Sequence, residues 1–504
     1  MNYAERLFKG SAIVFGAAIV ATLLGYALRL FLARSLPVTD FGLLYSIFVF
    51  IAFFSLFKDL GLGPTIIKFL AEFSGAGNKD KIKPSILVVG LIQFAIAIAI
   101  MMPIIFFSDF IAVFYFRTVA AAFPLQIIAV SFIIGTALTT LQHAAQGLGH
   151  VKIYSLVEPI RLAIAFLFVA LLINLGVTGI SYAYVLGAVA ALMFLLFGLK
   201  SRGKLTGKAA FDKALTKKLM KFAFPVFIGG LSSLLLFYTD TIVLTAFRGL
   251  EDVGLYQAAL PTSQLLWVLV NSLAVVLLPL IAEMWAKKHI NEVSTALGLI
   301  SKFAFVVVIP IAIIMIAFAG DILLILFGQA YLPAAITLQI LAINSIFYTL
   351  FVIFSNSLIA VNKPISNTKI TAVISVLNLI LNILFVPQYG IAAAALSTLL
   401  AYFIGTVLAF YSLRKTVQIG MDTISLAKIF VGGILAMSII VAIKTVLIFN
   451  ILAEIILSLA AGLIFYSFFI LRTKGLTKEE LEFLRKLNIP VPKFIVKMLV
   501  KLAS

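Results

Sequence analysis

The sequence predicts an all-α membrane protein with 14 transmembrane helices. They form two six-helix lobes related by a pseudo-two-fold along the membrane normal, plus two C-terminal helices. Three observations predict this. Of 504 residues, 63% are hydrophobic and 11% charged, against about 45–50% and about 25% in ordinary globular domains. Apolar runs recur along the whole chain, and a short motif returns 212 residues after its first appearance. A transmembrane helix needs roughly 20 residues, so fourteen use about 280 and leave only short loops and a tail.

The first apolar run, 11–28, follows a basic segment ending at Lys9 and continues to Arg29 without a cleavage site. It is too long for a signal-peptide core and is expected to stay as a helix. Further runs, separated by polar or Pro/Gly breaks, start near 41, 84, 120, 155, 178, 222, 253, 294, 334, 368, 390, 425 and 450, with the first near 10. None alternates apolar with polar residues, as strands of a membrane barrel do. The second is expected to bend at Gly61, Gly63 and Pro64.

Charge sets the orientation. Of 38 Lys and Arg, 29 fall in the loops on the side of the N-terminus and only Arg34, Arg117, Arg248 and Lys444 on the other. Cationic loops stay cytoplasmic, which puts both termini inside the cell membrane. The net charge of +19 therefore reflects topology and calls for no nucleic acid. Zero cysteines exclude disulfides, thiolate metal sites and cysteine catalysis.

Val38-Thr39-Asp40-Phe41-Gly42-Leu43 resembles Leu250-Glu251-Asp252-Val253-Gly254-Leu255, and Leu175-Gly176-Val177 resembles Tyr389-Gly390-Ile391 at an offset of 214. The offset spans six helices, so the two copies share one orientation and their axis lies along the membrane normal. The expected organisation is an N-terminal lobe at 1–200, a basic cytoplasmic connector at 201–221 and a C-terminal lobe at 222–413. Helices 13 and 14 follow at 424–471, then an amphipathic cytoplasmic tail at 472–504. Two equal lobes suit alternating access, with the substrate between them.

The run from Arg29 to Tyr45, Asp59-Leu-Gly-Leu-Gly63 with Ala71-Glu72, Ser155-Leu-Val-Glu-Pro159, Phe327-Gly-Gln-Ala-Tyr331 and Val386-Pro-Gln-Tyr-Gly-Ile-Ala-Ala-Ala394 resemble the polysaccharide transporter, O-antigen flippase-like family. Its superfamily includes the lipid II flippases and the multidrug and toxic compound extruders. The resemblance spans nearly the whole chain and implies a cationic cavity for lipid-linked sugar diphosphates.

Ionisable groups inside spans usually face a cavity or a partner. Glu158 and Arg161 lie three apart on one helical face, which suits a local ion pair. Lys68, Glu283 and Lys302 are near enough to span ends to snorkel. Lys58 and Asp59 point about 100° apart on a helix and need other partners. Arg29 lies toward the outer leaflet with no carboxylate three or four positions away, and its fork suits a phosphate or pyrophosphate. The expected cavity cations are Arg29, Lys58 and Arg161, with Lys302 opposite. Asp59, Glu158 and Asp240 are expected to pair with them or to carry a coupling ion.

The leading expectation is a flippase for a lipid-linked sugar, acting among membrane lipids as a monomer, with glycan-assembly partners. The alternative is a proton- or sodium-coupled multidrug exporter using Asp240 or Asp59. A membrane glycan enzyme is disfavoured because the longest internal connector has only about 22 residues, too short for a catalytic domain. No cofactor is expected. His143, His150 and His289 lack metal-ligand spacing, and Gly203-Lys-Leu-Thr-Gly-Lys208 is a degenerate phosphate loop without a preceding strand.

Overall fold

A computed structural model of the chain describes residues 3–200, 213–420, 422–446 and 451–477. Its helices are α1 (Tyr3–Ser35), α2 (Val38–Phe53), α3 (Ser55–Asp59), α4 (Leu62–Gly75), α5 (Ile82–Phe106), α6 (Ser108–Phe114), α7 (Ala122–Gly147), α8 (Val151–Leu172) and α9 (Gly176–Lys200). They continue as α10 (Lys213–Phe247), α11 (Leu250–Ala286), α12 (Ile290–Ala317), α13 (Ala319–Leu326), α14 (Ala335–Ala360), α15 (Pro364–Arg414), α16 (Thr423–Val446) and α17 (Ile451–Arg472). No strand occurs among the described residues. Among the described residues, ten segments are long and apolar enough to cross a membrane, or eleven if the bent pair within 213–247 counts as one span. The chain is a multi-pass, all-helical membrane protein.

Most predicted starts fall within four residues of a helix start. The exceptions are near 10 and 222, where α1 and α10 begin earlier, at Tyr3 and Lys213. Helical hydrogen bonding does not stop where the apolar stretch stops, so both helices run into their basic flanks. The segment 151–200 contains two helices that meet at Gly176, and α15 breaks at Gly390. Both glycines take a positive φ, at φ 60°, ψ −146° and φ 60°, ψ −140°. The two loops matched in sequence thus share a backbone conformation. Most of the connector, 201–212, and most of the tail, 478–504, lie outside the described residues.

The expected bend in the second span is a full break. Leu60 and Gly61 take φ of +46° and +74° between α3 and α4. Gly61 also meets α10 closely: a Cβ there would sit 2.3 Å from the Ala223 carbonyl oxygen. Pro64 then falls in the first turn of α4, where an amide has no intrahelical acceptor to lose.

The described chain forms two compact units. The first comprises Met1–Gln257 with Ile383–Gly390. In it α4, α5, α7 and α10 bury Leu62, Ile66, Phe69, Val89, Ala144 and Leu219, while α7, α8 and α9 close on Leu138, Val157 and Leu195. Phe106 and Phe114 point outward, 80% and 74% exposed, as expected where lipid replaces water. Because lipid is as apolar as leucine, close approach at small residues helps hold such helices together. The tightest approach is at the repeated motif. A Cβ on Gly42 would lie 1.8 Å from the Leu250 carbonyl oxygen, and one on Gly254 would lie 2.3 Å from that of Val38. Gly42 and Gly254 are 212 apart, as are Val38 and Leu250. The contact is therefore reciprocal: each glycine meets the carbonyl that opens the other copy of the motif.

The second unit comprises Ala258–Asn382 with Ile391–Ser504. Its core joins α12, α16 and α17 through Phe305, Ile309, Ile313, Ile429, Ile440 and Tyr466. Lys444 on α16 pairs with Asp321 on α13 and lies 5.0 Å from the centre of the Phe318 ring. Asp321→Asn is expected to destabilise the detergent-solubilised protein by about 1–3 kcal/mol, because the half-buried ammonium loses its counter-charge. Adding Lys444→Met should return part of that loss. Equal melting temperatures for wild type and Asp321→Asn would show that the pair is idle.

Candidate functional site

Two polar clusters stand out in the first unit. The first surrounds Arg29, near the C-terminal end of α1. Its guanidinium lies 3.9 Å above the Tyr45 ring on α2. Nη1 donates to the backbone carbonyl of Gln257 at 2.8 Å and to Gln257 Oε1 at 3.1 Å. The Gln257 amide in turn donates to Thr241 Oγ1 at 2.9 Å. Arginine has five N–H donors in a planar fork. Among the described residues none accepts from Nε or Nη2 of Arg29, and no carboxylate pairs with it. The side chain is held between Tyr45 and Gln257 while one edge of its fork stays open.

The cluster's members are linked by the same spacing as the crossing glycines. Adding 212 residues to Arg29 and Tyr45 gives Thr241 and Gln257. These four side chains are thus two pairs at the offset of Gly42 and Gly254. Sequence reading missed Tyr45, Thr241 and Gln257, although carrying Arg29 and Tyr45 through the offset would have found two of them.

Arg161 lies in the same neighbourhood but is occupied. Its Nε and Nη2 grip both carboxylate oxygens of Glu158 at 2.9 and 2.5 Å, the local pair that their spacing suggested. Tyr184 on α9 packs its ring on Phe48 of α2 at 4.6 Å between centroids and lies within electrostatic range of Arg29 and Arg161. Asp240 is buried on α10 and accepts the Tyr256 hydroxyl at 2.5 Å.

The second cluster lines a cavity of about 350 Å³ at the break between α3 and α4. Lys58, Asp59, Thr139, His143 and Tyr238 supply most of its polar groups. Lys58 is buried and donates to Thr139 Oγ1 at 3.1 Å. Asp59 Oδ1 accepts the Gly63 amide at 3.1 Å, capping α4, and the Gln93 side-chain amide at 2.7 Å. The two neighbours in sequence thus find separate partners, as their angular separation required.

Lys302 belongs to the second unit. It is buried and lies 3.6 Å from Asp422, ahead of α16. The Ser425 hydroxyl and amide, with help from Lys302, hold the Asp422 carboxyl below the usual carboxylate range. Of the three groups expected to snorkel, Glu283 pairs with Lys287 at 2.5 Å and Lys68 lies 4.1 Å from the centre of the Phe222 ring, whereas Lys302 is buried beside Asp422 and does not snorkel. No group of three or more potential metal ligands occurs among the described residues.

The fold defines a class before it defines a family. A lipid II flippase MurJ in an inward closed conformation superposes with a TM-score of 0.76, covering 91% of this chain and 99% of that one at 18% identity. An inward-facing multidrug-resistance MATE transporter of the MOP superfamily follows at 0.69, covering 79% and 96% at 16% identity. These likenesses show a fold of the MurJ and MATE type. The family is explicit in the sequence. The model of the polysaccharide biosynthesis protein family matches residues 7–285, and the chain belongs to that family. The MatE family model matches 225–387. Membrane protein MJ1068 of Methanocaldococcus jannaschii is 27% identical over 94% of this chain and 96% of its own. The probable flippase AglR of Haloferax volcanii is 23% identical over 95% and 98%.

Proposed function

We propose that the protein is a flippase that moves a lipid-linked oligosaccharide, or a related polyprenyl-phosphate lipid, across the cytoplasmic membrane by alternating access. The observation that carries this reading is the open edge of the Arg29 fork, a bidentate site for a phosphate oxygen pair. Family membership and the flippase among the relatives support it.

We infer fourteen spans. Segments 151–200 and 364–414 each contain two helices, and α10 and α11 add one each. The shared glycine conformations and the reciprocal Gly42–Gly254 contact support two six-helix lobes at 1–200 and 222–413. With both termini cytoplasmic, Lys58 falls in the inner half of its span and Arg29 in the outer half of α1. The head group enters beside Lys58 and passes outward to Arg29, while the lipid tail stays in the bilayer. Arg161 is released for it only if Glu158 lets go, and Lys302 serves from its own unit. The protein performs no covalent chemistry. It works as a monomer supplied by glycan-assembly partners.

The test uses proteoliposomes containing only the purified protein and a fluorescent polyprenyl-diphosphate sugar. Protein-dependent movement between leaflets is expected. The MatE match and the buried Asp240 favour an ion-coupled exporter as the second reading. No lipid movement, with ion-driven uptake of a cationic dye in the same vesicles, would establish that reading instead.

A further inference from the structure

His143 stands one turn before the end of α7, in the cavity at the α3–α4 break. Its Nδ1 is buried and makes no hydrogen bond among the described residues. Across from it is Asp59. A Cβ built on Gly63 would lie 2.7 Å from His143 Nδ1 and 2.9 Å from Asp59 Oδ1, so the two atoms are within about 6 Å of each other. Only a glycine leaves that gap open. Asp59 is not idle: it caps α4 and holds Gln93, whose carbonyl oxygen accepts the Thr140 hydroxyl at 2.5 Å.

The titratable groups facing His143 across the cavity are Lys58 and Asp59 from α3 and Tyr238 from α10. α2, α4, α5, α6, α8 and α9 also pack on α7 but add no titratable group to the lining. With histidine neutral, the ammonium and the carboxylate balance. One proton on Nδ1 makes the cavity cationic and gives Asp59 a donor to meet across the glycine gap. Histidine changes charge in the physiological range unless strongly perturbed.

We propose that His143 is a proton-binding site and that its proton and a phosphate-bearing head group bind this cavity with positive linkage. This rests on the reading of Lys58 as a head-group contact. A cavity that gains a positive charge holds an anion more tightly, and by reciprocity the anion holds the proton. Protonation also competes for the oxygen that caps α4, which ties head-group arrival to the break between α3 and α4.

The test is a nitrogen-15 histidine titration of the full chain in nanodiscs between about pH 5 and about pH 8. The chain has three histidines, and the His143 signal is the one absent from His143→Gln. Inorganic pyrophosphate serves as the anion. His143 is expected to titrate, with its midpoint moved up by pyrophosphate and down in Asp59→Asn, and with the pyrophosphate effect gone in Lys58→Gln. Calorimetry on wild type should show pyrophosphate bound about threefold tighter or more at low than at high pH, although pyrophosphate itself loses charge as pH falls. A His143 that stays neutral throughout while pyrophosphate binds overturns the proton site and leaves the flippase reading standing. A His143 that titrates without any pyrophosphate binding overturns the linkage and the role of Lys58 together.

Discussion

Arg29→Ala is expected to slow transbilayer movement of the polyprenyl-diphosphate sugar by at least about tenfold, a loss of about 1.4 kcal/mol or more. Two donors of an open fork are removed from a diphosphate, and charge-assisted hydrogen bonds contribute about 1.5–3 kcal/mol. Arg29→Lys should fall between the two, since an ammonium keeps the charge and loses the paired geometry. The variant also frees the Gln257 carbonyl and uncovers Tyr45, so its melting temperature must be followed in the same preparation. A slow variant with near-normal stability assigns the loss to the head group. Normal movement at normal expression would remove Arg29 from the substrate path.

Gly42→Ala is expected to prevent accumulation of folded protein in the membrane. Its new methyl carbon would meet a backbone oxygen at 1.8 Å, and no flexible side chain is there to yield. Overpacking typically costs about 1–3 kcal/mol and occasionally more, and this case lies at the upper end because two helices must separate. Gly254→Ala, facing a carbonyl at 2.3 Å, should behave alike. Fluorescence-detected gel filtration of tagged protein reads the outcome. A monodisperse peak of wild-type height and melting temperature would mean that the crossing relaxes easily and is no fixed contact.

Most of the helical architecture could be read from the chain, because lipid imposes it locally. Twenty apolar residues and a basic flank need no distant partner to define a span. Even the break at Leu60–Gly61 followed from Gly61, Gly63 and Pro64. The local pair of Glu158 and Arg161 was readable for the same reason, since a three-residue spacing fixes a shared helical face. The sites were less readable. Nothing near Arg29 in sequence points to Gln257, 228 residues away, until the repeat offset is applied to side chains as well as to turns. His143 has no metal-ligand spacing to the other histidines, and no residue beside it in sequence marks it out. Its surroundings come from Asp59 and Gly63, on helices that adjoin α7 only after folding.

Tyr45 and Gln257 each sit three residues, one helical turn, beyond the glycines of the reciprocal crossing. Arg29 touches both. A crossing with no side chain between its backbones leaves the first turn of α11 no slack against α2, so it sets the spacing of Tyr45 and Gln257. Arg29, bonded to Gln257 and resting on Tyr45, is thereby gauged to that spacing: two glycines that touch no charge decide where a guanidinium sits.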